Sequence, residues 1–392
     1  MQDADPMTRR VEKVVETPVA DSFRVQQVGG MFDVSIEEKS RLTFAAEVPD
    51  DDDWQIGVIV GPSGSGKSTI AAKAFGEMLY HGRRWPRDKA VVDAFPAGLS
   101  IKEITAGLTA VGFSSPPAWV RPYRVLSNGE QFRVDLAMAL LSRGGCVAFD
   151  EFTSVVDRTV AKIGSAAVAK AVRKGRVRAE KFIAVTCHYD VLEWLEPDWI
   201  LDMATAKLTR RRLRRGGERK GWPRRPEIRL EVRRCKSDLW GLFARHHYLD
   251  AGLHRSAQCY VATWNEDPVC FVAVLPCVGM VGRRRISRIV TLPDYQGVGI
   301  GGATLAAVAE IWTEAGARVS ITTSHPAMIR SLENRATWRT MYIAKQGGAG
   351  HVGGYAGIVR TSCGRSVVGF EYVGTENKRL ARGGGATRQA RS

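Results

Sequence analysis

The chain has 392 residues, 44% of them apolar, which is more than one hydrophobic core usually serves, so two domains are expected. Its 7 cysteines contain no C-x-x-C pair, which argues against a disulfide framework or a zinc ribbon and for reduced thiols. The polar start Met1–Thr17 lacks a signal-peptide core, and the longest apolar stretch, Val269–Val281, carries a proline and is too short for a bilayer, so a cytoplasmic chain with no membrane contact is expected.

The formal net charge of +16 is concentrated. Arg210–Arg234 holds twelve Lys/Arg against three Glu, and Glu376–Ser392 holds five basic residues against one acidic. Such segments suit a polyanion, most often nucleic acid, or else form a solvated linker and a basic tail.

In chain order, Met31–Ile36 and Arg41–Val48 read as strands, and Pro49–Asp53 as a turn. The apolar run Ile56–Val60 then leads into Gly61-Pro62-Ser63-Gly64-Ser65-Gly66-Lys67-Ser68-Thr69 and a helix-forming run, Ile70–Tyr80. This is a full P-loop between strand and helix. Its glycines let backbone amides turn inward around the phosphates of ATP, Lys67 can reach the outer phosphates, and Ser68 is placed to ligate Mg²⁺.

Beyond it, Ala90–Asp93 reads as a short strand and Ser100–Gly112 as a helix, from the spacing of Ile101, Ile104, Leu108 and Val111. Leu126-Ser127-Asn128-Gly129-Glu130-Gln131 opens an amphipathic helix to Ser142. Cys146–Phe149 is an apolar strand ending in Asp150 and Glu151, and Phe182–Thr186 is another, followed by His188.

That order resembles the ATPase domain of the ABC superfamily over residues 20–210. The resemblance implies that Leu126–Gln131 is the signature, with Asn128 replacing a glycine. Asp150 would then join Ser68 on the metal, Glu151 would be the general base, Asp157 would belong to the D-loop and His188 would sense the γ-phosphate. Taken singly, each of these has a bland reading as solvated charge or a packed histidine. No glutamine lies between Gln55 and Gln131, so the Q-loop glutamine is missing and Asp93 stands nearest its place. Phe32 is the candidate for stacking on adenine. The resemblance also implies an ATP-dependent head-to-tail homodimer, in which Ser127, Gly129 and Gln131 complete the nucleotide site of a second copy.

Gly216-Gly217, Gly221, Pro223 and Pro226 interrupt the Arg-rich stretch and mark a boundary. The expected organisation is an ATPase domain at 1–208, a basic linker at 209–226, a second domain at 227–375 and a basic tail at 376–392. Trp222 either stacks on a base or docks on a domain.

The pattern then restarts with strand Glu227–Val232, helix Ser237–Tyr248, and strands Gln258–Thr263 and Val269–Val274. A further strand runs through Val290 to Leu292, and Gln296-Gly297-Val298-Gly299-Ile300-Gly301 opens a helix from Gly302 to Ala315. A glycine loop opening a helix offers amides to a pyrophosphate, as a dinucleotide fingerprint or a packing turn also could. After a strand running into Leu-Pro, it resembles motif A of the GNAT acyltransferases. Strand Arg318–Thr322 and helix Pro326–Asn334 fit the same pattern.

The fold class is therefore α/β, with an ABC-type P-loop ATPase domain followed by a GNAT-like α+β domain. The resemblance implies that acetyl-CoA or another acyl-CoA lies along the Gln296–Gly301 loop, and that amides near Val290 and Leu292 polarise the thioester. His247, Asp294 or His325 would take the amine proton, and Tyr342 in preference to Tyr248 would protonate the thiolate. The bland reading of the histidines is capping or packing. Phe243–Leu249 and Val290–Gly301 further resemble Mom-type phage proteins that modify adenine in DNA. Together these imply an ATP-hydrolysing acyltransferase on DNA bases. The alternatives are an acetyltransferase on RNA, protein or small amines, and an ATP-driven DNA-binding protein with an inactive GNAT fold.

Overall fold

The computed structural model describes residues 7–33, 39–211, 222–247, 252–346 and 365–374. Residues 212–221 of the Arg-rich stretch, Tyr248 and the basic tail lie outside them. The chain divides into two compact units, Met1–Val111 with Pro122–Pro226, and Gly112–Arg121 with Glu227–Ser392. The excursion Gly112–Arg121 interrupts the stretch that the sequence presents as one domain.

In the first unit, strands β1 (Thr8–Pro18) and β2 (Lys39–Pro49) pair antiparallel over their whole length and flank helix α1 (Phe23–Phe32). Met31 and Phe32 thus belong to a helix, which Ser22 caps, and not to the expected strand; Phe32 is exposed. Strand β3 (Ile56–Val60) is buried at every position, as a central parallel strand must be, and runs into helix α2 (Lys67–Phe75). Strand β4 is Leu79–Tyr80. The expected strand at Ala90–Asp93 is instead an isolated bridge, Ala90 to Pro122, followed by a 3₁₀ turn over Val92–Ala94.

Helix α3 (Ile101–Ala110) begins with a capping box between Ser100 and Glu103. Helix α4 (Pro116–Trp119) lies in the excursion, and α5 (Asn128–Ser142) follows. Strand β5 (Gly145–Phe149), helix α6 (Arg158–Arg173), strand β6 (Ala179–Thr186), helix α7 (Leu192–Leu195) and strands β7 (Trp199–Asp202) and β8 (Lys207–Arg210) complete the unit. The sheet order is β4-β5-β6-β3-β7-β8, parallel except for β8.

The carboxyl ends of β3, β5 and β6 fall at one edge, because Val60 pairs with Thr186 and Phe149 with Ala184. Arg210 and Arg211, at the start of the Arg-rich stretch, form ion pairs with Asp51 and Asp198. Trp222 is docked, its indole N–H donating to the Pro197 carbonyl at 2.7 Å.

In the second unit, strand β9 (Glu231–Cys235) is followed by helix α8 (Trp240–Ala244), which is shorter than expected. Strands β10 (Gln258–Trp264), β11 (Asp267–Pro276) and β12 (Arg283–Thr291) come next. They lead to helix α9 (Ile300–Glu314), strand β13 (Arg318–Thr323), helix α10 (Pro326–Glu333), and strands β14 (Trp338–Gln346) and β15 (Arg365–Tyr372). They form a sheet in the order β14-β15-β13-β12-β11-β10-β9. Alternation sends Val272 and Val274 to a core with Leu305 and Val308 of α9, and Phe271 and Ala273 to a second core with Trp240 and Phe243 of α8. Helices therefore cover both faces. No helix among the described residues is long and apolar enough to cross a membrane.

Candidate functional sites

At the shared edge of the first sheet, Ser68 Oγ donates to Asp150 Oδ1 at 3.0 Å. Lys67 Nζ donates to the carbonyl of Pro62 in its own loop at 2.7 Å, a contact that a phosphate can replace. Gly66 caps α2 with φ 84°, and a Cβ there would stand 2.2 Å from the Phe44 ring, so the loop can hold only glycine at this point. The loop fits a triphosphate. Among the described residues no cluster of three or more His, Cys, Asp or Glu could hold a metal. Ser68 and Asp150 would share Mg²⁺ with phosphate and water oxygens, the usual habit of that ion.

Glu151 and Thr153 adopt left-handed backbone, with φ 51° and 69°, a conformation that costs of order 1–3 kcal/mol each where a side chain is present. Ser154 Oγ donates to Glu151 Oε2 at 2.6 Å, and Thr153 Oγ1 lies 3.3 Å from Nδ1 of His188. Burial lowers the His188 pKa, and Arg158 pushes it the same way against Asp190 and Glu151. The Asp157 carboxylate accepts from Thr159 and Val160 N–H and so caps α6. Asp93 is exposed in its turn.

The Ser127 hydroxyl accepts from Glu130 N–H in a capping box, and Gln131 Nε2 donates to the carbonyls of Tyr123 and Leu126 at 3.2 Å. The structure thus occupies Ser127 and Gln131 locally, while Gly129 lies in the first turn of α5.

In the second unit, β12 and β13 pair in parallel only from Arg283–Arg318 to Ile286–Ile321, although β12 continues to Thr291 and β13 to Thr323. The strands part where Ser287 forms a bulge against β11. The Gln296–Gly301 loop and the N-terminus of α9 meet the end of β12 at Thr291. Gly299 is the N-cap and brings no side chain to the first unpartnered amides of the helix. A Cβ on Gly301 would meet Thr291 Oγ1 at 2.7 Å, so glycine lets α9 sit down on the end of β12. Helix-start amides beside the end of such a strand suit a pyrophosphate bearing an extended arm.

Residues 225–334 match the acetyltransferase (GNAT) family. They form a GNAT acetyltransferase domain. Among similar solved structures, the ribosomal-protein-S18-alanine N-acetyltransferase from Escherichia coli shares 15% identity with this chain, covers 38% of it and 98% of itself, and has a TM-score of 0.29. A Bacillus subtilis acetyltransferase in complex with CoA shares 16%, covering 37% and 98%, with a TM-score of 0.28. A dimeric bacterial ABC transporter cassette shares 15%, covering 41% and 87%, with a TM-score of 0.32. At these values no function passes from them to this chain. No curated protein matches it in sequence.

Within the GNAT domain the amides expected to meet a thioester, those of Val290 and Leu292, turn away from the parting. The Leu292 N–H donates to the Val269 carbonyl at 3.0 Å, toward β11. Alternation along the strand directs Val290 the same way and leaves Ile289 and Thr291 facing the parting. Sequence reading missed this because strand register alone decides it.

His247 is buried, its ring 5.7 Å from that of Trp240, in the α8 core that also contains Val290. Asp294 is exposed in the 3₁₀ turn Pro293–Tyr295. His325 caps α10, and its Nε2 lies 3.2 Å from the Ser114 carbonyl. Burial lowers the His325 pKa, with the Ser114 carbonyl opposing. The Tyr342 hydroxyl lies 2.9 Å from Thr322 Oγ1, at the end of β13, aimed there by a bulge between Thr340 and Tyr342.

Proposed function

We propose that the chain is an ATP-hydrolysing, acyl-CoA-dependent N-acyltransferase whose acceptor is a base in DNA. The parting of β12 from β13 above the Gln296–Gly301 loop carries this reading. Acetyl-CoA supplies the acyl group as an activated thioester. The α9 amides and Gln296–Gly301 hold its pyrophosphate, and Ile289 and Thr291 N–H orient the carbonyl. His247 or Asp294 takes the proton of the attacking amine as the C–N bond forms and the C–S bond breaks, and Tyr342 protonates the thiolate.

In the ABC-type unit, Gly61–Thr69 cradles ATP, Ser68 and Asp150 hold Mg²⁺, Glu151 orients the attacking water, and His188 and Asp157 flank the γ-phosphate. Ser127, Gly129 and Gln131 of a second copy complete the site in a head-to-tail dimer. The exposed Arg233 and Arg234 on edge strand β9, with the Arg-rich stretch and basic tail in the sequence, support a polyanionic acceptor. That acceptor also explains why an ATPase shares the chain: a base must leave the stack before it can react.

Mass spectrometry of nucleosides from DNA incubated with the protein, acetyl-CoA and Mg²⁺-ATP tests the proposal. A new acylated nucleoside is expected. Acyl transfer only to RNA, a protein or a small amine would overturn the DNA assignment. DNA affinity should fall with a log–log salt slope of about 0.9 per phosphate contacted, and a flat response would remove the nucleic acid.

A further inference from the structure

The GNAT unit includes the excursion Gly112–Arg121, and one residue of it, Ser114, is held through both its backbone N–H and its backbone carbonyl. The Ser114 N–H donates to Gln296 Oε1 at 2.8 Å, and the Ser114 carbonyl lies 3.2 Å from His325 Nε2. Gln296 Nε2 in turn donates to the Thr291 carbonyl at 2.9 Å. A peptide N–H can only donate and a peptide carbonyl can only accept. Gln296 is therefore fixed in one amide orientation, and His325 carries its proton on Nε2.

Gln296 opens the acyl-CoA loop, and Thr291 ends the strand beside it. The N–H and C=O of one extended residue point the same way, so the amide that holds the Thr291 carbonyl also aims the Thr291 N–H.

The excursion is restrained by two prolines and an internal hydrogen bond. It carries Pro116 and Pro117 at the start of α4, and its Trp119 indole N–H donates to the Phe113 carbonyl at 2.9 Å. From Pro122 the chain re-enters the first unit and is anchored at once. Tyr123 stacks on Trp85 with centroids 4.7 Å apart, and Tyr123 and Trp85 donate to Asp135 of α5 at 2.6 and 2.8 Å. Burial raises the Asp135 pKa against these donors. The anchor lies on the same helix that Ser127 caps.

We propose that Ser114 and Gln296 are positioning residues that make acyl-CoA binding depend on the nucleotide that the start of α5 contacts, held in the proposed dimer by the P-loop of a second copy. Nucleotide contacts that shift the start of α5 act on Tyr123, then on the excursion, then on the amide that aims Thr291. The proposal rests on the acyl-CoA reading above. Linkage requires the effect to be reciprocal, so acyl-CoA alters nucleotide affinity by the same factor.

Isothermal titration of the full chain with acetyl-CoA, with and without Mg²⁺ and a non-hydrolysable ATP analogue, tests it. The analogue should change the parent's acetyl-CoA Kd by a factor within the roughly 5–150-fold range of allosteric coupling. In Gln296→Ala, and in Ser114→Pro, which lacks the N–H, the factor should fall to near one. Gln296→Glu still accepts from Ser114 but cannot donate to Thr291, so it should lose the factor too, which keeps the test open if another variant fails to fold. A parent that binds both ligands independently overturns the relay, as do folded variants that keep the parental factor. A parent that binds no acetyl-CoA overturns the acyl-CoA reading itself, and the relay with it.

Discussion

Ser68 and Asp150 are 82 residues apart in the chain, yet the serine hydroxyl donates to the aspartate at 3.0 Å. Parallel pairing of β3 and β5 with the intervening β6 brings them to one edge and sets Glu151 beside them. Glu151→Gln should therefore slow ATP hydrolysis by roughly 10²–10⁴-fold, the range for a positioned general base. With ATP and Mg²⁺ the same variant should run at twice the monomer mass in light scattering. A monomer at saturating nucleotide would sink the head-to-tail dimer.

Gly301→Ala places a methyl against Thr291 Oγ1, which stands 2.7 Å from the added carbon. Overpacking of this kind costs about 1–3 kcal/mol. The expected result is a lower urea midpoint together with weaker acetyl-CoA binding, since α9 must lift from the strand whose end it covers. Unchanged affinity would mean that the N-terminus of α9 takes no part in holding the ligand.

Tyr342→Phe removes the hydroxyl near Thr322 and keeps the ring that covers Gly369. Loss of a general acid lowers turnover by roughly 10²–10⁴-fold. Acetyl-CoA affinity should stay at the parental value, because in the proposed reaction the phenol would act on the leaving thiolate and not on the pyrophosphate. Parental turnover in this variant would assign the proton to another donor.

Glu371 is 5% exposed and pairs with Arg318 and Arg339. Burial alone would raise its pKa, but hydrogen bonds and charge from the two arginines outweigh it, and the folded pKa is lowered. A carboxylate depressed in the folded state adds stability above its unfolded pKa of about 4.3, and that stability is lost as pH falls through the folded value. Glu371→Gln should cost roughly 1–3 kcal/mol at pH 7, less than a fully buried pair because both arginines are largely solvated. Thermal melts across pH 7 to 3 should show the gap between parent and variant closing at the acid end. A gap independent of pH would assign the loss to packing.

The strand-to-helix loop Gly61–Thr69, the helix start at Leu126–Gln131, the Asp150–Glu151 strand end and the Gln296–Gly301 loop were legible in the sequence as local structure. Each is a contiguous run whose glycines, hydroxyls and carboxylates act through local backbone geometry, and flanking apolar runs announce the strands that carry them. Contacts across the chain were not legible. Which amides of β12 face the parting depends on the Ser287 bulge and the register with β11, so those of Val290 and Leu292 point to β11 and those of Ile289 and Thr291 to the parting. Met31 read as strand from local β propensity, but the Ser22 cap and the continuing turn make it helical. The passage of Gly112–Arg121 into the GNAT unit has no composition signal at all, because Ser114 meets Gln296 only through folding. The sequence by itself determined the two glycine loops and the strands and helices that flank them, and tertiary structure alone decided which backbone groups face each loop, since pairing between distant strands, and not spacing along one, sets those directions.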